Sequence, residues 1–493
     1  MLFSVCAVWL SALPLLQDGR ATLDEDPSAK IDFAKATRLD LSRCLLDFEA
    51  AVRAFDAREP AGAAKDETSV RIARVFDAAT LSFFLGDGTR ALHSMRRLEE
   101  SLRETDAAAR LAHSLCVRFE PAVGVVSQAA WPALTWTPFY SADMLQSAQE
   151  FEFVLVGPAP ATSVVARLKL SGEKLGTAGA AAWSNAQAPV PGRYELRLGA
   201  KHLCALNVLG KAPSQLQHDF LVRWKAIAPP PTLAAAHFCA GERAKLLVDA
   251  PNPARSAEFM ADPGLLAAQL EQEISALEKS KNPYRQRPGD LWRSMPRKQS
   301  GLAYRMYAPK AACGDEPHPL VIALHGAGGD ENMFFDAYDL GRLRDLAEQH
   351  GFLLASPVNA FLGSGGQRAM LQLIDLLSSD YAVDPARIYV LGHSMGAGAA
   401  AGLAGPLHDR LAGVVCLAGG FFSKAAKCAP ILAIAADEDG IVGWRGIESS
   451  ASKAREGGAR IEFRRLPHLG HLTMVGPSLP GAVEWMLAHK LER

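Results

Sequence analysis

The sequence contains no C-x-x-C pair, no internal repeat and no long block of like charge. Its cysteines number eight and are scattered as Cys6, Cys44, Cys116, Cys204, Cys239, Cys313, Cys416 and Cys428. Paired cysteine clusters are what structural zinc and dense disulfide frameworks need, so neither is expected, and no metal or organic cofactor is implied. Lys plus Arg number 52 against 53 Asp plus Glu, a formal charge of −1. A chain so balanced presents no strongly basic face, and nucleic acid is not an expected partner. Long apolar runs are also missing. The run from Met1 to Leu16, with Leu2, Phe3, Val5, Val8, Trp9, Leu10 and Leu13, is too short to cross a bilayer as a helix.

What is present is apolar enough to fold. About 49% of the 493 residues are hydrophobic, and the length calls for more than one domain. The leading apolar run, followed by Gly19-Arg20-Ala21, fits a signal peptide over residues 1–21, although no Lys or Arg precedes it. The expectation is export to a periplasmic or extracellular space, with no stable membrane span in the mature chain. Removing the leader leaves seven cysteines, an odd number that again speaks against full pairing; Cys416, inside Val414-Val415-Cys416-Leu417, reads as core filler.

Residues 22–115 read as a helical region. Leu41, Leu45, Phe48, Val52 and Phe55 recur at helical spacing, and Phe76, Leu81 and Phe84 continue the pattern up to Gly86-Asp87-Gly88. No catalytic motif is visible there. Residues 116–228 change to period two, with strands expected at Phe151–Val156, Val164–Leu170, Arg193–Leu198 and Phe220–Trp224. That pattern suggests a β-sandwich, acting either as a spacer or as a binding module. Residues 229–299 are expected to be a stiff linker at Pro229-Pro230-Pro231, a helical segment with a Leu265, Leu266, Leu270, Ile274 and Leu277 stripe, and a polar lead-in.

From residue 300 to 493 strands and helices alternate. Strands are expected at Leu302–Tyr307, Leu320–Leu324, Phe352–Ala355, Arg387–Leu391, Gly413–Leu417, Ile431–Ala435 and Ile461–Leu466, with helices between them. Such alternation builds a mostly parallel sheet covered on both faces, an α/β fold.

Within it, Gly392-His393-Ser394-Met395-Gly396 joins a strand to an Ala/Gly-rich helix. A serine at a sharp strand-to-helix turn projects its oxygen above the sheet, and the glycines let backbone pass close to it. Ser394 is therefore the expected nucleophile. Leu320–Leu324 runs into His325-Gly326-Ala327-Gly328-Gly329-Asp330. A Gly-rich loop here can aim N–H donors at a developing oxyanion, and the expected donors are Ala327 and Met395, with Gly328 an alternative to Ala327. A phosphate-cradling loop would need a Lys-Ser/Thr ending, which is absent. His325 is expected to hold the loop, and His393 to line or pack the site. The acid and base follow the serine in such a fold. Asp439, in Ala436-Asp437-Glu438-Asp439-Gly440, is favoured over Asp437, and His471, in His468-Leu469-Gly470-His471, over His468.

These motifs together resemble the α/β-hydrolase superfamily. They are most similar to its secreted esterase branch, which holds polyhydroxybutyrate-depolymerase-like, feruloyl-esterase-like and predicted-peptidase members. The resemblance spans about residues 301–493 and departs from the family at Ala435-Ala436, often His-Gly, and at Ala397, often a second Gly. It implies a serine esterase with a Ser394-Asp439-His471 triad, acting on a small-molecule or polymeric ester. A prolyl-oligopeptidase-like peptidase is the alternative, although the preceding β segment is too short for a propeller. A third reading is a binding protein whose hydrolase domain is inert. Little sequence separates Leu417 from Ile431, where lids are often inserted, so an open site is expected, shaded at most by the loop Asn359–Gln367.

Overall fold

The structure, a computed structural model, describes residues 37–491 except 103–106, 127–129, 139–142, 159–162, 184–187, 253–254, 298–300, 359–365 and 423–426. The expected signal peptide, residues 1–21, and most of the Asn359–Gln367 loop lie outside the described residues.

The described residues open with three helices, α1 (Arg38–Arg58), α2 (Ala63–Phe84) and α3 (Gly88–Leu102). Thr37 starts α1 through a capping box: its hydroxyl accepts from the Asp40 N–H, and the Asp40 carboxylate accepts from the Thr37 N–H. The apolar stripe on α1 then meets α2 and α3. Phe48 and Phe76 pack with ring centroids 4.5 Å apart, beside buried Leu92 and Met95. Gly86, at φ 86°, turns the chain between α2 and α3.

Two sheets follow. One is three-stranded, in the order β1 (Leu115–Glu120), β3 (Ala133–Pro138) and β6 (Gly179–Ala181). The other runs β2 (Val123–Val125), β8 (Lys201–Leu209), β7 (Gly192–Leu198), β4 (Glu150–Val156) and β5 (Val164–Ser171). Phe119 and Trp136 of the first share a core with Phe153, Leu168 and Leu196 of the second, a sandwich.

Three readings of the middle of the chain need correction. Phe220–Trp224 is not a strand but part of the helix Pro213–Ala226. Pro213 opens that helix, and Phe220 and Trp224, four apart, share one face; Trp224 stacks on His237 of the helix Ala234–Ala244. The triple proline is therefore not a spacer but the short connection between two packed helices. The polar stretch before residue 301 is not a lead-in either: Gly289–Pro296 is the strand β9. Its alternate residues Leu291, Arg293 and Met295 are buried, the arginine facing Asp380, so a charged side chain hides the period-two pattern.

The largest sheet has eight strands in the order β16-β15-β14-β13-β11-β12-β10-β9. They are β10 (Gly301–Ala308), β11 (His318–Leu324), β12 (Leu353–Pro357), β13 (Val383–His393), β14 (Gly413–Leu417), β15 (Ile431–Ala436) and β16 (Ile461–Leu466), with β9 at the far edge. Only β9 and β10 run antiparallel to their neighbours. Leu320, Ile322 and Leu324 of β11 face the helices Gly366–Asp380 and Met395–Ala404. Val321 and Ala323 face Arg342–His350 and Val475–Ala488 on the other side. Burial on both faces explains why these strands read as continuous apolar runs.

Candidate active site

The loops after β11, β13, β15 and β16 all leave the carboxyl edge of this sheet, where the parallel strands end. The candidate residues belong to those loops.

Ser394 ends β13 and opens the helix Met395–Ala404 with φ 53° and ψ −115°. A non-glycine residue in that region costs on the order of 1–3 kcal/mol, which the surrounding backbone must supply. The Ser394 N–H donates to the Leu417 carbonyl at 2.8 Å, and the Gly398 N–H donates to the Ser394 carbonyl at 3.1 Å. Two glycines make the turn possible. A methyl group on Gly392 would lie 2.1 Å from the Gly396 oxygen, and one on Gly396 would lie 2.1 Å from the Leu324 oxygen. Ser394 itself is half-buried.

The Gly-rich loop passes beside it. A methyl group on Gly326 would come 3.3 Å from the Ser394 Cβ. The Gly329 N–H donates to the Gly326 carbonyl at 3.2 Å, closing a turn that leaves the N–H groups of Ala327 and Gly328 outside that bond. Gly328 has φ +74°. Met395, at the first helical position, has an N–H without an intrahelical acceptor, as every first-turn amide does. Ala327, Met395 and Ser394 thus share one corner. His325 is buried and bridges its loop, with ring nitrogens 2.7 and 2.9 Å from the carbonyl oxygens of Gly326 and Val358.

His471 and Asp439 meet at 2.9 Å, Nδ1 to Oδ2, and both are buried. The other Asp439 oxygen accepts from the N–H groups of Ile441 and Val442 at 2.8 and 2.7 Å, which fixes the carboxylate's direction. Burial opposes a charge on His471, but the Asp439 carboxylate, its hydrogen bond and the nearby Asp77 outweigh burial and hold the imidazole above the ordinary histidine range. The runners-up stand elsewhere. Asp437 accepts from the backbone N–H of His468 at 2.7 Å, pinning a turn, and the exposed His468 ring reaches Asp66 at 3.9 Å.

His393 is buried behind the base. Burial, and then the positive charge His471 can carry, hold it well below the usual histidine range, so it is neutral. Its Nε2–H donates to the His471 carbonyl at 3.0 Å, and its Nδ1 accepts from the Tyr338 hydroxyl at 2.8 Å. It fixes the backbone of His471, as the packing role expected for it requires.

The Gly-rich loop has cover that the sequence did not suggest. It comes from the first described helices, not from the sequence between β14 and β15. Phe83 and Phe84 of α2 lie against Gly328, and Arg38 of α1 pairs with Asp330 at 3.0 Å. A cavity of about 150 Å³ lies between the helices and the Gly-rich loop, lined by Leu41, Phe76, Phe83, Met95, Ala327 and Leu472 among others. The middle of the chain also reaches this loop: Ser256 and Trp292 each donate to the buried Glu331 at 2.8 Å. Sequence reasoning missed these contacts and missed Asp77. The available signal was a carboxylate in the midst of Ile72, Ala73, Val75, Phe76 and Ala79, the buried face of α2.

The chain matches no family profile and no curated protein. Among solved structures it is similar to a thermostable esterase, at 20% identity and a TM-score of 0.36, over 41% of this chain and 63% of that one. An S-formylglutathione hydrolase from Agrobacterium tumefaciens matches at 16% identity and a TM-score of 0.35, over 41% of this chain and 96% of that one. A putative dipeptidyl aminopeptidase IV from Bacteroides ovatus matches at 14% identity and a TM-score of 0.34, over 42% of this chain and 37% of that one.

Proposed function

We propose that the chain is a serine hydrolase that cleaves carboxylic esters bearing a compact apolar acyl group. The observation that carries this reading is the buried 2.9 Å contact between His471 and Asp439, at the same sheet edge as the positive-φ Ser394. His471 accepts the proton of the Ser394 hydroxyl as its oxygen attacks the ester carbonyl. Asp439 keeps the Nδ1–H tautomer and stabilises the imidazolium. The N–H groups of Ala327 and Met395 receive the oxyanion, His471 returns the proton to the departing alcohol, and an acyl-enzyme remains. Water, activated by the same histidine, then releases the acid. Each step uses groups of this chain alone, so activity should survive a metal chelator.

The acyl preference rests on the cover supplied by the helices. The cavity of about 150 Å³, mostly apolar but edged by Arg38 and Asp330, reaches the site through Ala327 and would take a group of roughly benzene size there. Phe84 and Phe421, 47% and 75% exposed, add apolar surface near the Gly-rich loop and near the Gly419-Gly420 turn beside Ser394. Short esters fit such a space better than a polymer chain does.

The test is covalent labelling by a fluorophosphonate, together with hydrolysis of a nitrophenyl ester series. Wild-type protein should label and cleave short acyl esters, Ser394→Ala should do neither, and Asp439→Asn should lower kcat by roughly 10⁴-fold. Wild-type protein that takes no label and cleaves no ester would end the enzyme reading. Cleavage of peptide amides at rates equal to esters would favour the peptidase instead.

A further inference from the structure

A side chain of α2 reaches the loop that carries His471. The Asp77 carboxylate is buried, and it accepts from the Gly440 N–H at 2.9 Å and from the His471 N–H at 3.1 and 3.3 Å. One oxygen pair therefore ties the residue after the acid to the base itself. The neighbouring glycines fit this arrangement. A methyl group on Gly470 would lie 3.1 Å from both Asp77 oxygens and 2.9 Å from the Ala73 Cβ. Gly440 too faces Asp77, at 3.6 Å on the same measure. The two small residues flanking the acid and the base are those that let α2 come this close.

Two further contacts align the same helix on the same turns. Arg74 pairs with Glu438 at 3.0 Å, and Asp66 stands 3.9 Å from His468. The charged groups facing Asp77 are Asp439 and His471, while Arg74, one turn back on its own helix, is engaged by Glu438.

We infer that Asp77 is a positioning residue of the active site, supplied from outside the hydrolase domain, which locks the acid turn and the base loop into one geometry and places a second carboxylate beside the His471 imidazole. This rests on the Ser394-Asp439-His471 reading above. Burial, and then the charge of Asp439, push the Asp77 carboxyl up to about 7, so it stands poised near neutrality, as groups built into reactive sites often do. A carboxylate that served only to dock a helix would gain nothing from a place beside another carboxylate.

The test is the steady-state kinetics of Asp77→Asn across pH, with Ser394→Ala and fluorophosphonate labelling as controls. The amide keeps the shape and one acceptor but removes the charge. The expected result is a kcat lower by roughly ten- to a hundredfold, from misplacement of the base, at a KM within about twofold. The acid limb of the rate profile should also move to lower pH, because the negative charge that Asp77 gains beside the imidazolium as pH rises through about 7 is gone. Asp77→Glu, which keeps the charge, should return that limb to the wild-type position. Should Asp77→Asn not accumulate as folded protein, Asp77→Ser removes the charge with less volume and is read in the same way. A folded neutral variant with a lowered Tm but wild-type kcat and an unmoved acid limb would overturn the inference. Wild-type protein that takes no label, or a Ser394→Ala variant that still turns over, would instead overturn the triad reading beneath it.

Discussion

At the scale of single residues, the proposed mechanism makes the protonation of His471 decide when the site can work. Its ordinary pKa of 6.5 is raised, because Asp439 and its hydrogen bond outweigh the cost of burial. A base must be neutral to accept the serine proton, so activity should fall on acidification with a limb lying above pH 6.5, read from kcat/KM against pH. A rate flat from pH 8 to about 5 would contradict that role. Gly396 makes a second prediction. A Gly396→Ala side chain would meet the Leu324 oxygen at 2.1 Å, so the turn must shift. The expected outcome is loss of at least about a hundredfold in kcat, with Tm lowered as well. These candidates were legible in the sequence because each sits in a local pattern. Ser394 stands in a pentapeptide between a strand and a helix, and Asp439 and His471 each follow a strand next to a small residue. The role of those small residues was not legible: Gly440 and Gly470 face Asp77, more than three hundred residues upstream.

At the scale of elements, α2 does more than its composition suggests. Phe83 closes one side of the cavity over Gly328. Phe83→Ala should widen that space and shift preference to longer acyl chains, by up to about fourfold in kcat/KM per added methylene, measured as the ratio of hexanoyl to acetyl ester cleavage. The elements of the catalytic sheet could be read almost one by one, because strands buried on both faces are written as apolar runs. The misreadings share a cause. Phe220 to Trp224 is rich in large apolar residues and short enough to pass for a strand, yet Pro213 starts a helix there and Trp224 stacks on His237. In β9, buried Arg293 breaks the apolar alternation, and only its partner Asp380, distant in sequence, explains it.

At the scale of the whole molecule, the seam between the first helices and the catalytic sheet holds two buried carboxylates, Glu49 and Asp77. Burial pushes Glu49 from 4.5 up to about 8, with the charge of Asp339 adding and the Asp339 N–H opposing; Asp77 rises from 3.8 to about 7. Each keeps its proton in the folded state over a range where the unfolded chain has lost it, so each makes stability fall as pH climbs through its window. Glu49→Gln should therefore flatten the dependence of Tm on pH between 4.5 and 8, gaining about 2–4 °C on wild type at the upper end. Wild-type and variant curves that stay parallel would dismiss the idea. No property of the sequence alone told of this seam, since periodicity records which face of a helix is buried but not what buries it. The anchors on Asp330 and Glu331 carry a consequence for synthesis. Arg38, Ser256 and Trp292 leave the ribosome before the loop they hold, whereas His471 comes last of the reacting groups. A nascent chain therefore carries its braces first, and on the proposed mechanism a stalled fragment ending before the imidazole should be inert.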